Sequence, residues 1–349
     1  MPIASERSER SNLAQGERIK VREKAKMGKK RNHSGTGGST HSPIKGWQVG
    51  GQAVIEGVMM RSPESVTVAI RKNDGQIVVK KEPYIALSKR YKLLNLPIIR
   101  GAVVLIESLY LGIKALSFSA EEAMEEEEKP LKKESERIKV AASAGETVKK
   151  EKIFTTLWLI LSLLMGFALA FLIFFYLPLI LTGLTGVKGG FLFNLIDGLI
   201  RITFFLIYIW VISLWKSMRR IFEYHGAEHK SIFTFEAGKD LTVENAKKYS
   251  TRHPGCGTSF LLIVMVMSIL VFMFLGRPHT ISDRLTRLLF VPLIAGISYE
   301  LTKLSRKKRG NRIVKMLIAP GLWLQRITTK EPDEAQLKVA LAALKSALK

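Results

Sequence analysis

Long uninterrupted blocks of apolar residues, separated by short stretches rich in lysine and arginine, dominate the second half of this chain. Phe154–Thr182, Gly190–Trp215 and Gly257–Gly276 are each about twenty residues or longer and nearly free of charge, the length a helix needs to cross a hydrocarbon core roughly 30 Å thick. A fourth block, Leu285–Leu304, contains Arg287, Pro292, Gly296 and Glu300; Arg287 and Glu300 sit near its ends, within reach of the interfaces. The pattern predicts four transmembrane helices, with short outer loops near Gly183–Gly189 and Arg277–Arg284, the latter holding His279. Inside the second block, Asp197 and Arg201 stand one helical turn apart. An arginine at that depth needs a partner or water, so the pair is either structural or part of a proton or ion pathway.

Before these blocks the period changes. Val66–Ile70 and Ile77–Val79 are β-branched and alternating, with Asn73-Asp74-Gly75 between them, which predicts a β-hairpin. The preceding GGQAVIEGVMMR is glycine-rich and carries Glu56 and Arg61; it is either a lead into the sheet or part of a site. From Pro97 to Ala120 the period is helical, and Arg100, Glu107 and Lys114 fall on one narrow face. Three charges through the middle of a span would be costly in lipid, so residues 98–119 are expected to lie in the interface or pack on the bundle.

The predicted organisation is a disordered basic tail over 1–46, with His33 and His41, then a cytosolic hairpin and amphipathic helix over 47–120. A charged linker covers 121–152. The membrane domain covers 153–304, with a cytosolic loop at 216–256, and an interfacial segment and C-terminal amphipathic helix fill 305–349. The fold class is mainly α: a polytopic membrane protein with about four transmembrane helices plus a small cytosolic α+β region containing a β-hairpin.

The formal net charge of +24 changes the choice of partner. Because the bases cluster at the ends of the apolar blocks, they point to a lipid bilayer with anionic headgroups rather than to specific nucleic acid. Lys149, Lys150 and Lys152 precede the first block, Lys216, Arg219 and Arg220 follow the second, and Lys303, Arg306, Lys307, Lys308 and Arg309 follow the fourth. The positive-inside rule puts all three clusters, and both termini, in the cytoplasm. The single cysteine, Cys256, rules out an intramolecular disulfide.

Candidate chemistry lies in EYHGAEHK, between the second and third blocks. His225 and His229 are four apart, so on a helix both imidazoles reach one cation; Glu228 beside them could move protons for bound water. HPGCGT places His253 and Cys256 at the start of the third block, and Glu300 ends the fourth, so all share one membrane face. His253 is the first choice for a third ligand, then Glu300 and Cys256. A divalent metal such as zinc suits two imidazoles, a third ligand and an open position. Alternatively, the histidines bond to carboxylates such as Glu223 or Glu56.

GGQAVIEGVMMR, RGAVVLIESLYLGIKALSFSA, FEYHGAEHK, RHPGCGTSF and PGLWLQRITTKEPDEAQLKVALAAL, in that order from Trp47 to the C-terminus, resemble the bacterial YqhQ family, a domain of unknown function often labelled a predicted metal-dependent enzyme. The resemblance implies a multi-pass protein of a bacterial cell membrane, with functional positions at Glu56, Arg61, His225, Glu228, His229, His253 and Cys256. Two functions remain open. One is a metal-dependent enzyme, a hydrolase, with its site at the cytoplasmic interface and Glu228 and Glu56 as its catalytic carboxylates. The other is a non-enzymatic scaffold or assembly factor with a membrane-protein partner.

Overall fold

The computed structural model describes residues 47–139, 158, 161–162, 164–278, 280–307 and 311–349. The basic tail, residues 140–152 of the charged linker with the lysines before the first apolar block, His279, Lys308 and Arg309 lie outside the described residues, while residues 121–139 of the linker continue helix α1 (Ile99–Lys139).

The predicted hairpin is half of a four-stranded antiparallel meander: β1 (Gly50–Val54), β2 (Gly57–Arg61), β3 (Ser65–Arg71) and β4 (Ile77–Pro83), in sequential order. The glycine-rich segment is therefore a pair of strands and not a lead-in, because Ile55 and Glu56 turn the chain so that Val54 pairs with Gly57. Glu56 takes the left-handed conformation, with φ 51°, which a non-glycine residue adopts only at some cost. Gly57 is needed for contact: a Cβ there would lie 2.3 Å from the Ala69 carbonyl oxygen.

Both faces of the sheet are covered, so its strands read as apolar runs. Val54, Met59, Val66, Val68 and Ile70 meet Ala115, Leu111 and Phe118 of helix α1 (Ile99–Lys139). On the opposite face, Val58, Met60 and Ala69 meet α4 (Lys216–Glu236) and α9 (Glu334–Leu348) through Tyr224, Ala227, Leu337, Ala340 and Leu344. An Asp333–Gln336 capping box starts α9, satisfying donors that the first helical turn leaves open.

The other helices described after α1 are α2 (Leu164–Leu184), α3 (Gly190–Ile212), α5 (Val243–Lys247), α6 (Gly257–Phe274), α7 (Ile281–Lys307) and α8 (Arg312–Thr328). Helices α2 and α6 pack on α3, α7 packs on α6 and α1, and α8 packs on α6. Large apolar side chains such as Phe167, Leu184, Phe274 and Leu289 stay exposed along them, as on helices surrounded by lipid.

Among the described residues, five helices are long and apolar enough to cross a membrane, four of them at the predicted blocks. The addition is Ile99–Ala123 within α1, where sequence weighed the three charges against a span. Each of those charges is matched: Arg100 forms a bidentate pair with Glu300 at 2.5 Å, Glu107 accepts the Leu87 amide at 2.6 Å, and Lys114 pairs with Glu82. Apart from these three, residues 99–120 carry no charge, and the helix packs on α7 and on the sheet.

Asp197 holds Arg201 at 2.7 Å, and Arg201 also donates to the Phe174 carbonyl at 2.6 Å. That carbonyl lies in a π-helical turn, Leu172–Tyr176, where the local widening disturbs the regular ladder. The intramembrane arginine thus has a carboxylate and a backbone acceptor.

Small residues set the closest crossings. A Cβ on Gly101 would lie 2.7 Å from the Gly296 Cα, whereas one on Gly166 would meet nothing within 4 Å. Gly101→Ala is expected to cost about 1–3 kcal/mol through overpacking, and Gly166→Ala to stabilise by up to about 1 kcal/mol through helix propensity. Melting of the two variants in detergent should therefore shift in opposite directions; a fall of similar size in both would refute the packing account.

Candidate metal centre

Helix α4 brings His225, Glu228 and His229 to one buried face. Gly226 allows the chain after α8 to approach: a Cβ there would lie 2.0 Å from the Lys330 carbonyl oxygen. The Lys330 amide in turn donates to the Phe222 carbonyl at 2.9 Å. The contact sets α4 against the end of α8, and the Thr328 carbonyl comes to His225.

Both histidines are oriented through the same ring atom. His225 Nδ1 lies 2.9 Å from the Thr328 carbonyl oxygen, and His229 Nδ1 lies 2.5 Å from that of Thr251. A carbonyl can only accept, so the hydrogen-bond network assigns each ring's proton to Nδ1 and leaves a lone pair on Nε2. His225 Nε2 is 3.2 Å from Cys256 Sγ, while His229 Nε2 is buried without a hydrogen-bond partner among the described residues. One ligand atom from each of His225, His229 and Cys256 lies within 4.8 Å of the others.

Cys256 reaches this point because it caps α6, its sulfur accepting the Thr258 amide at 3.4 Å. The loop before it is locked by Gln325 of α8, which is fully buried. The Gln325 side chain accepts the His253 amide at 2.7 Å and donates to the His253 carbonyl at 2.9 Å and to Ser259 Oγ at 2.8 Å.

Glu228 completes the cluster. Its carboxylate lies 3.8 Å from His225 Nε2 and 4.0 Å from His229 Nε2. Gly51 of β1 makes the space, since a Cβ there would stand 2.7 Å from Glu228 Cγ. Burial pushes the Glu228 carboxyl above its ordinary range, opposed by the fields of His225 and His253 and by the Gly51 amide. Burial also pushes His229 below the usual imidazole range. Both shifts disfavour charge in a metal-free centre.

The other residues singled out in the sequence lie in different arrangements. His253 accepts the Gly255 amide at Nδ1, at 3.1 Å, and its Nε2 lies 3.3 Å from Glu236, so its nitrogens are directed away from the ligand cluster. Glu300 is held by Arg100. Glu56 is gripped by Arg220 and receives the Tyr224 hydroxyl at 3.2 Å. Arg61 stacks over Tyr84 at 5.7 Å. Glu223, the other suggested histidine partner, accepts from Gln336 at 3.0 Å. Sequence reasoning did not foresee the orienting carbonyls of Thr251 and Thr328, or Gln325, since a backbone acceptor or a lone glutamine leaves no mark in a sequence pattern.

The donor set of two imidazoles and a thiol suits zinc. From bond lengths of roughly 2.0–2.3 Å, tetrahedral ligand atoms stand about 3.2–3.8 Å apart, so the widest pair here would close by about 1 Å. Imidazoles whose second nitrogen donates to a carbonyl are the form that metal-ligating histidines usually take.

The family model described as "Protein of unknown function (DUF1385)" matches residues 96–349. The "Uncharacterized protein YqhQ" of Bacillus subtilis (strain 168) is 34% identical over 309 residues, covering 86% of this chain and 92% of that protein. The chain belongs to this family. No solved structure matches it. The matched region of the family model includes α4, the HPGC loop and α8, and so every ligand candidate and both orienting carbonyls.

Glu228 gives the site a defined pH dependence. Its folded-state pKa lies above the ordinary 4.5, so its contribution to stability is present below that value and lost as pH rises through the folded pKa. His229, depressed below 6.5, contributes above that value and loses its contribution as pH falls. Metal-free Glu228→Gln protein is therefore expected to melt above the wild type at pH 8, with the gap closing toward pH 4.5. Melting in chelator across that range checks this, and an equal or lower melting temperature for the variant at pH 8 would contradict the assignment.

Proposed function

We propose that this family member is a metal-dependent membrane enzyme, a hydrolase, whose centre is His225, His229 and Cys256 with zinc as the cation. One observation carries the reading: two imidazoles, each with Nδ1 bonded to a carbonyl, turn their Nε2 atoms toward a single thiol, beside a buried carboxylate. Zinc, when bound, supplies Lewis acidity. Glu228, within 4.0 Å of both Nε2 atoms, is placed to take a proton from water at the centre. Glu56 serves by tying the turn between β1 and β2 to Arg220 of α4, and His253 by positioning the loop that carries Cys256.

Charge supports the placement. Lys216, Arg219 and Arg220 open α4 directly after α3, and Lys303, Arg306 and Lys307 end α7. By the positive-inside rule the site then faces the cytoplasm, as do both termini, beside anionic headgroups.

Burial favours a second reading, in which the metal is structural and the protein serves as a scaffold or assembly factor for membrane-protein partners. Glu228 is 5% exposed and His229 1%, whereas a catalytic zinc keeps a position open to water. Removal of the metal separates the two. Chelation should lower the melting temperature in either case, because an ion bound by the native state alone stabilises it; with a structural zinc the chelated protein should lose its fold at ordinary temperature, and with a catalytic one it should stay folded.

Elemental analysis of purified protein tests the centre itself. About one equivalent of zinc is expected in wild-type and His253→Ala protein, with loss of most of it in His225→Ala, His229→Ala and Cys256→Ala. Equal, substoichiometric metal in all five would eliminate the proposal.

A further inference from the structure

Where α3 ends at Ile212 and α4 begins at Lys216, the chain bends and leaves a cavity of about 370 Å³. Its wall comprises Trp210, Ser213, Leu214, Arg219, Ile327 and Lys330. The volume falls within the range of small-ligand sites. The wall is divided by chemistry: Trp210, Leu214 and Ile327 are apolar, while Arg219, Lys330 and Ser213 are cationic or polar.

We propose that this cavity holds the headgroup phosphate and upper acyl chain of an anionic membrane lipid. Position is the first argument. Trp210 lies in the last turn of a helix long and apolar enough to cross the membrane, and it remains 55% exposed; tryptophan at such an end belongs at the headgroup level. The charge balance is the second. Arg219 has Glu223 at 3.5 Å on its own helix. The Lys330 ammonium rests 3.4 Å from the Arg326 carbonyl, which does not neutralise it, and the neighbouring Glu331 is taken by Lys230 at 2.5 Å. A phosphate between Arg219 and Lys330 would meet two cations against one carboxylate, with an acyl chain running along Trp210 and Leu214 into the bilayer.

The apolar half of the wall is what favours a lipid over a free anion. Inorganic phosphate would gain from the two cations and leave Trp210, Leu214 and Ile327 uncovered. The site adjoins the histidine centre in sequence and space, since Ile327 precedes Thr328, whose carbonyl orients His225, and the Lys330 carbonyl packs on Gly226. Lipid binding itself requires no metal, so it stands apart from the reading of that centre.

Calorimetric titration of the full chain in a non-ionic detergent tests the proposal with three probes: dioctanoyl phosphatidylglycerol, dioctanoyl phosphatidylcholine and inorganic phosphate. Saturable binding of the phosphatidylglycerol is expected, weakened roughly fivefold by Arg219→Ala and again by Lys330→Ala, as for basic residues at an anionic surface. Ser213→Asp, which adds a negative charge and removes neither cation, is expected to abolish binding even if an alanine variant folds poorly. His229→Ala protein should bind lipid as the wild type does, whatever its zinc content. Equal affinity for phosphatidylcholine, equal affinity for inorganic phosphate, or unchanged binding in Ser213→Asp would each overturn the proposal.

Discussion

The burial of Glu228 and His229 within α4 is the constraint to which the surrounding elements answer. Groups with such polarity cannot be enclosed without partners except at a cost of about 1–3 kcal/mol for each orphaned atom. The fold therefore delivers backbone carbonyls from two separate places, Thr251 before α6 and Thr328 at the end of α8. Those carbonyls can reach the rings because α4 lacks a side chain at Gly226, and Glu228 finds room because β1 lacks one at Gly51. Sheet, loop and α8 converge on one helix because that helix carries charge into the interior.

The membrane helices serve the same arrangement. Helix α6 is anchored on its membrane side by α3 and α7 and on its capping side by Cys256 and Thr258, so the depth of the bundle fixes the height of the thiol. Gln325 then joins α8 to the first turn of α6 through Ser259 and to the loop through His253. A buried amide that satisfies three partners with one side chain resists rotation, because any turn would orphan a buried group. Its effect is to hold Cys256 opposite His225.

Much of this was legible in the sequence where burial makes a period or a length. The apolar blocks gave α2, α3, α6 and α7, and alternation gave β3 and β4. The spacing of His225 and His229 placed their rings on a common face. Two features escaped for physical reasons. Strand β1 is rich in glycine, whose missing side chains read as a loop although they admit Glu228, and the partners of the three charges on α1 could not be named, although its packing on the bundle was expected. Those charges are matched by Glu300, Leu87 and Glu82, contacts between residues far apart in sequence that no local pattern records. The third ligand position was similarly ambiguous: His253 and Cys256 stand three residues apart, and the turn of the loop, set by Gln325, decides which one faces the rings.

The residual imbalance of the centre argues for a cation more strongly than the choice of residues does. Structural histidines in a protein interior ordinarily bond through both nitrogens, since each ring then gains a partner at either end. Here, among the described residues, His229 Nε2 has none, and its lone pair faces a thiol and a carboxyl whose pKa burial raises. One divalent ion at that point would give the lone pair a partner and set a positive charge beside the buried carboxyl. The same ion would oppose the direction in which burial drives Glu228, favouring the carboxylate form that can accept a proton. The energetic defect of the metal-free cluster and its proposed chemistry thus have a common origin in one unpartnered nitrogen.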